Sequence, residues 1–479
     1  MKRLMLIALC VVMPLAAVAQ LDPLPGLAEV RQSPPGGQTQ VLPGEETSAG
    51  LWQRSNLLGT IGGLRPALAT RGVSFGLLET SEGLGNFSGG TRRTAVYEGL
   101  TQFSLGIDLD QAVGLQGGTI NVSGYQIHGR GLSVTALGNN LNTVSSLETG
   151  RGTLLFELWY EQVLFDKTLA IRVGQLAADQ EFIVSQYGAL FANHTFGWPT
   201  LPSTILPSSG PSYPLAAPGV RVRMQPRQDL TLLAAVFNGD PAGPGPGTPQ
   251  QRNPDGLAFR VRDGVFAIAE VQFALNQGEA AAGLPGMYKL GGWYHSGVFA
   301  DQRRTRLGTS LAAFGANAGA AGPNARLRRG NWSVYAIADQ LVWRRAETKD
   351  QGIGVFARVM GAPGDRNLVN VYADVGVTYK GALPNRPADT LGLAVGYARI
   401  SDTASQLDTD ARAQDGTTPV RRHETVLELA YQAQFAPWLQ VQPYAQYVFN
   451  LNGGVANPMR PARRLGDAAV LAVRTSVTF

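Results

Sequence analysis

Charged side chains recur at alternate positions inside otherwise apolar stretches of this chain. The acids are Glu98, Glu157, Glu161, Glu270, Asp374, Glu424 and Glu428, and the bases are Arg172, Arg221, Arg223 and Arg358. Facing guanidinium and carboxylate groups set up a transverse field and hold fixed donors and acceptors for hydroxyl groups. A second set of candidates lies in residues 178–217, where Phe182, Tyr187, Phe191, His194, Phe196, Trp198 and Tyr213 stand among many prolines. Aromatic faces beside charged groups suit polyhydroxylated rings, which have apolar C–H faces and a rim of hydroxyls. A plainer role, in which the charges solvate a channel and pair with one another, fits the same pattern for any single residue.

Other chemistry finds little support. The four histidines, His128, His194, His295 and His423, lack metal-ligand spacing. No phosphate-binding loop and no nucleophile elbow is present. No metal or cofactor is therefore expected. A hydrolase would need a histidine at an outer rim beside a serine and a carboxylate. His128 and His295 lie near strand ends, but nothing in the sequence singles them out.

The elements that must position these residues follow from a period of two. Apolar alternation predicts strands over 72–80, 95–108, 118–128, 153–163, 168–177, 218–226, 229–236 and 264–275 in the first half. It predicts a further eight over 287–296, 331–343, 351–361, 370–380, 389–400, 422–434, 440–450 and 468–479. Most are about ten residues long, the length a tilted strand needs to cross a bilayer. Connections alternate in length. Short turns at 163–168, 226–229, 343–351 and 434–440 alternate with long Gly/Pro-rich loops at 129–152, 178–217, 237–263, 297–330 and 401–421. One short-turned and one long-looped rim is the pattern of a membrane barrel, and a sandwich or propeller would not sort its loops this way. A barrel of about sixteen strands is too wide to fill with side chains, so its apolar face must meet lipid and its polar face water. Aromatics at strand ends, Trp159, Tyr160, Trp293, Tyr294, Trp332, Trp343, Tyr379, Trp438, Tyr447 and Phe449, read as interfacial girdles.

The two ends agree with an exported barrel. Lys2 and Arg3, an apolar run from Leu4 to Leu15, and Ala17-Val18-Ala19 read as a signal peptide over 1–19. Residues 20–50 read as a flexible lead-in, 51–71 as a short periplasmic helix broken at Gly62-Gly63, and 72–479 as the barrel. The only cysteine, Cys10, leaves with the signal, so neither disulfides nor thiolate metal sites are available afterwards. The formal net charge of +5, two of which go with Lys2 and Arg3, is too small to imply a nucleic-acid partner. The terminal LAVRTSVTF, 471–479, alternates apolar and polar residues up to Phe479. A closing strand of this kind pairs with the first to remove the sheet edge, and its terminal aromatic suits recognition by barrel assembly machinery.

Several segments resemble the carbohydrate-selective porins of the OprB type: GGLRPALATRGV (62–73), LAIRVGQLAADQEF (169–182), VFNGDPAGPG (236–245), GVFARVMGAPGDRNLVNVYADVGVTYKG (354–381), DTLGLAVGYARIS (389–401), ETVLELAYQAQFAPWLQVQPYAQYVFN (424–450) and AVLAVRTSVTF (469–479). The similarity runs over roughly residues 50 to 479. It implies an all-β, sixteen-stranded antiparallel outer-membrane barrel with a narrowed pore for monosaccharides such as glucose, fed by diffusion, with no enzymatic step. The expected pore lining and constriction are Glu98, Glu157, Arg172, Phe196, Trp198, Arg221, Arg223, Glu270, Asp374 and Glu428. Sugar binding should be weak, in the millimolar range or about −4 kcal/mol, since a tightly bound solute cannot leave quickly. A general hydrophilic porin, an outer-membrane hydrolase and a structural wall anchor are the competing readings. The apolar outer faces would serve lipid or a sister barrel alike, so a homo-oligomer stays open.

Overall fold

The computed structural model describes residues 50–138, 141–277, 283–314, 324–346, 348 and 350–479. The expected signal peptide and nearly all of the lead-in lie outside the described residues. Strands β1 (Val73–Ser88), β2 (Thr94–Asp108), β3 (Gly118–Gly129), β4 (Gly152–Leu164), β5 (Leu169–Leu176) and β6 (Ala217–Arg227) open the barrel. They are followed by β7 (Leu230–Asn238), β8 (Val265–Leu275), β9 (Gly286–Thr305), β10 (Ala325–Arg344), β11 (Gly352–Gly361) and β12 (Val369–Lys380). The last third holds β13 (Thr390–Ile400), β14 (His423–Ala436), β15 (Leu439–Phe449), a small hairpin β16 (Ala456–Asn457) and β17 (Arg460–Arg464), and β18 (Ala468–Thr478). All but the hairpin form one closed barrel in which each strand pairs with its sequence neighbours and β18 pairs with both β15 and β1. Leu78 faces Thr478 and Glu82 faces Arg474 across that closure. No unpaired edge remains in the wall, as hydrocarbon demands.

The expected strand set is present, with differences that have physical causes. β1 runs on to Ser88 because Glu82, Leu84 and Asn86 continue the inward phase. β9 and β10 are twenty residues each and project past the extracellular girdle as one hairpin. A helix, Asp402–Asp415, fills the loop after β13, capped by Ser401 Oγ and stopped at Gly416. In residues 51–71 the helix is confined to Leu64–Ala69, after Gly63 at φ +88°. Its Arg65 donates to the Phe75 carbonyl and to the Phe479 main-chain oxygen, while Trp52 stacks on Trp438. This segment clasps the closing strand at the short-turned rim.

Outward positions carry the lipid band: Val173, Val236, Leu290, Val334, Val375, Leu429 and Leu471 are exposed. Tyr294, Trp332, Trp343, Tyr447 and Phe449 are exposed at strand ends as expected. Trp159 and Trp293 differ. Both are buried on the inward side, because their strand phase places them beside Glu157 and His295 rather than beside lipid.

The inner face departs from a simple polar lining. Leu84, Leu100, Ile127, Phe266, Ile268 and Met360 point inward and are almost fully buried. They are covered by two segments that fold into the lumen, the described parts of the β3–β4 loop (130–138 and 141–151) and residues 177–216, whose own Leu132, Leu137, Phe182, Phe191 and Leu201 complete interior clusters. A wide barrel can carry apolar inward residues when chain fills it.

Candidate functional site

The inserted segments are held by carboxylates of the wall. Glu428 on β14 accepts from the amides of Ala192 (2.7 Å) and Asn193 (2.9 Å). Glu424, two inward positions nearer the start of β14, accepts from Leu141 (3.1 Å) and Asn142 (2.5 Å). Glu270 on β8 takes the Ile183 amide at 3.0 Å, Glu157 on β4 the Ala177 amide at 3.0 Å, and Asp339 on β10 the Ser185 hydroxyl at 2.6 Å. Glu82 receives the Ser145 hydroxyl, with Arg474 and Tyr444 on its other sides. Opposite in sign, Arg358 is buried, ion-paired with Asp374, and donates to the carbonyls of Ile183, Thr195, Phe196 and Gly197 at 2.8–3.0 Å. Charge-assisted hydrogen bonds contribute roughly 1.5–3 kcal/mol each, and the buried partner of a lost one is left unsatisfied.

Space for the insert comes from glycine. A Cβ on Gly354 would stand 2.2 Å from the Tyr187 ring, and one on Gly392 would stand 2.4 Å from Leu190. Both are inward positions, on β11 and β13 either side of β12, in the wall against which 177–216 packs. These inward-phase glycines were a readable sign of close approach.

A different arrangement occupies the β4–β6 wall. Arg172 lies over the Trp159 ring at 3.7 Å and bridges Glu161 (3.1 Å) and Glu181 (2.7 Å). Arg221 bridges the same two carboxylates at 2.6 and 2.9 Å. Glu181 arrives from the inserted segment, so the quartet joins wall to insert. It keeps solvent access: the side chains of Arg172, Glu161 and Glu181 are 14, 13 and 21% exposed. Arg223, half-buried one inward position along β6, adds its charge near Glu161. Lys289 reaches in from β9 and donates to the Val184 carbonyl at 2.7 Å. Alternating guanidinium donors and carboxylate acceptors about 3 Å apart can hold adjacent hydroxyls of a solute while staying neutral as a group.

The ten residues expected to line the pore thus separate. Arg172 and Arg223 stay partly exposed, and Arg221, directly opposite Arg172 across the β5–β6 pair, is buried. Glu98, Glu157, Glu270, Asp374 and Glu428 are buried, at most 3% exposed, because the inserted segments cover them and most of them take hydrogen bonds from insert or wall. Phe196 and Trp198 are buried as well: Phe196 packs on Phe191 and Phe356, and the Trp198 indole donates to the Ser209 carbonyl. The aromatics of 178–217 form the core of the insert instead of a stacking surface. Glu181 was missed; it sits between Gln180 and Phe182 in a stretch where strand phase gives no direction.

Burial acts on the insert's own ionisable groups. Asp179 is pushed up to about 6 by desolvation, against hydrogen bonds from the Tyr213 amide and Gln180. Glu148 is raised to about 7, again by burial, although it accepts from the Leu132 and Ser133 amides.

The hydrolase criterion has a near match on the outer wall. His128 lies 3.5 Å from Glu79, and Ser81 is close by. Ser81 Oγ, however, donates to Glu79, and His128 Nε2 faces the Tyr97 hydroxyl. The neighbouring amides are committed to the sheet ladder, so nothing is free to hold an oxyanion there.

Comparison with known proteins gives a consistent set. A sequence model of the family described as carbohydrate-selective porin, OprB family, matches residues 92–479. The chain is 24% identical over 407 residues to Porin B of Pseudomonas aeruginosa, covering 82% of this chain and 86% of that protein. It is 23% identical over 430 residues to the putative porin QuiX of Acinetobacter baylyi, covering 82% and 88%. The fold superposes on the high-pH structure of Pseudomonas putida OprB with a TM-score of 0.76 at 22% identity, over 90% of this chain and all of that one.

Proposed function

This chain belongs to the carbohydrate-selective porin family of the OprB type, and on that premise we propose that monosaccharides such as glucose cross it by passive diffusion past the Arg172–Glu161–Glu181–Arg221 quartet. It is an outer-membrane porin of carbohydrate type, and its relatives are channels rather than enzymes. The observation that carries the finer reading is the quartet: paired donors and acceptors on a Trp159 base, part-exposed where insert meets wall. A sugar can exchange hydrogen bonds with these groups one at a time, which keeps binding weak and exit fast. Arg223 and Lys289 extend the donor row along the path. Phe196 and Trp198 serve by shaping the insert. Export through the 1–19 signal and recognition of Phe479 during assembly complete the proposal.

The test is single-channel conductance of the purified protein in a planar bilayer, with glucose titrated against a size-matched amino acid. Concentration-dependent block by glucose alone, weakened several-fold in Arg172→Ala, is the expected result. Equal block by both solutes, or none by either, would reduce the protein to a general hydrophilic porin.

A further inference from the structure

Small side chains meet on one stretch of the lipid-facing wall. Ala234 on β7 stands opposite Ala269 on β8, Ala269 opposite Gly292 on β9, and Gly292 opposite Val334 on β10. Ala267, one outward position along β8, lies between Val236 and Tyr294. On β12, by contrast, the outward row is Val371, Ala373, Val375, Val377 and Tyr379. The small residues form the floor of a groove of about 590 Å³, walled by Val220, Val222 and Val236 on one side and by Tyr294, Trp332 and Val334 on the other. A second hollow of about 310 Å³ shares Val222, Ala234 and Ala269 with it and carries it on to Met224, Val271 and Leu290. Leu290 is four residues from Tyr294 on β9. At roughly 3.3 Å per residue and a tilt near 40°, the groove therefore reaches about 10 Å below the aromatic girdle. That is short of the middle of a hydrocarbon core about 30 Å thick, so the groove lies within the outer leaflet.

Above the groove the wall turns basic. Val298 stands opposite Arg329. Phe299 packs edge-on against the inward His295, so Val298 and Arg329 take the outward side, above Tyr294 and Trp332. Tyr294 leans over Gly330, where a Cβ would stand 2.8 Å from its hydroxyl. Arg262 comes from the loop before β8, two residues ahead of Gly264, whose added Cβ would meet Ser296 Oγ on β9 at 3.1 Å. Arg262 and Arg329 are exposed, and neither guanidinium makes a hydrogen bond or ion pair among the described residues. The acids beside them are taken: Asp263 pairs with Arg260, Asp301 with Arg328, and Asp365 with Arg328 and Arg366. Aromatic girdles mark the membrane–water interface. Two cations without counter-ions thus stand at head-group level, at the mouth of an apolar groove.

We propose that this groove holds one phosphorylated glycolipid of the outer leaflet, with an acyl chain along Ala234, Ala269 and Gly292 and a phosphate at Arg262 and Arg329. A guanidinium matches a phosphate bidentately and is weakly hydrated, so it suits a contact at a membrane surface. The exposed faces of Tyr294 and Trp332 lie between groove and arginines, where the sugar rings that carry the phosphates would sit, and such faces pack on the C–H side of a sugar. A phospholipid offers these two aromatics no ring. The site lies on the outside of the wall, apart from the pore, and does not depend on which solute crosses.

Native mass spectrometry of the protein extracted from outer membranes into mild detergent tests this. The parent chain should retain one phosphorylated glycolipid per barrel. Arg262→Ala/Arg329→Ala should lower its retention about tenfold or more. Ala269→Trp, which fills the groove from outside, should lower it as well, and Ala269→Leu serves if the larger side chain hinders assembly. Val375→Trp on β12 should leave it unchanged. Equal retention by the parent and these groove and arginine variants, or a phospholipid in its place, would overturn the proposal, because lipid held alike by any barrel surface needs no groove. Should the parent carry none after extraction, the purified glycolipid is titrated back in the same detergent. A saturable shift of one lipid mass with a rise in Tm, both absent from the double arginine variant, is then expected. No saturation, the same rise in the double variant, or an equal Tm rise with inorganic phosphate alone would overturn the assignment.

Discussion

Two walls of this barrel use the same residue types for opposite ends. On β10–β14, Asp339, Arg358, Glu424 and Glu428 are buried and spend hydrogen bonds on the inserted segments, while Asp374 pairs with Arg358. On β4–β6, Glu161, Arg172 and Arg221 spend theirs chiefly on one another and on Glu181, and of the three Glu161 and Arg172 stay partly exposed while Arg221 is buried. A charged group facing a wide pore is therefore a fastener where chain covers it and is left open to the lumen where water does. What decides is the company of backbone amides, not the side chain.

The largest expected effect would come from breaking the fastened wall at Arg358. Arg358→Ala leaves Asp374 buried without its partner and frees four insert carbonyls. Losing one member of a buried pair costs about 3–5 kcal/mol. The insert should detach, which would be seen as proteolysis within 177–216, higher and noisier conductance, and loss of any sugar preference.

Asp179 sharpens the comparison by pH. Its carboxyl is held up at about 6, against an unfolded value near 4, so the folded insert binds the proton more tightly. Stability from this group is therefore present at low pH and is lost as pH rises from about 4 to about 6, by about 3 kcal/mol at most. Hydrogen exchange of 177–216 should quicken over that window and not change further above it on this account. Asp179→Asn should flatten the slope.

Glu428→Gln probes one fastener alone. The new amide N–H₂ competes with the Ala192 and Asn193 amides for the same space, at a cost of about 1–3 kcal/mol. Increased channel flicker at unchanged barrel Tm is the expected readout. The open wall should give the smallest change in stability and the most selective change in function. Arg172→Ala should weaken sugar block several-fold, about 1 kcal/mol, and move ion selectivity toward cations. Proteolysis of the insert should stay close to the parent pattern. If Arg172→Ala released the insert as Arg358→Ala does, the distinction between the two walls would fail.

The strand set, the sorting of rims and the closing role of Phe479 follow from period-two alternation, which any tilted strand between lipid and lumen must show. The direction of Arg172, Arg223 and Glu161 was legible for the same reason: phase alone says which side of the wall a residue takes. Phase does not say what meets a residue inside. Glu428 and Arg172 both point inward by the same count, and only the folding of 177–216 across the lumen buries one as a clip and leaves the other partly exposed. Glu181 had no phase to read, and Phe196 and Trp198 looked like a stacking surface because a loop's aromatics carry no sign of whether they will face solute or one another. Local pattern settles the wall of such a barrel, since its geometry repeats every two residues. The lumen is settled by contacts between residues hundreds of positions apart, such as Glu428 with Ala192, and no local period encodes them.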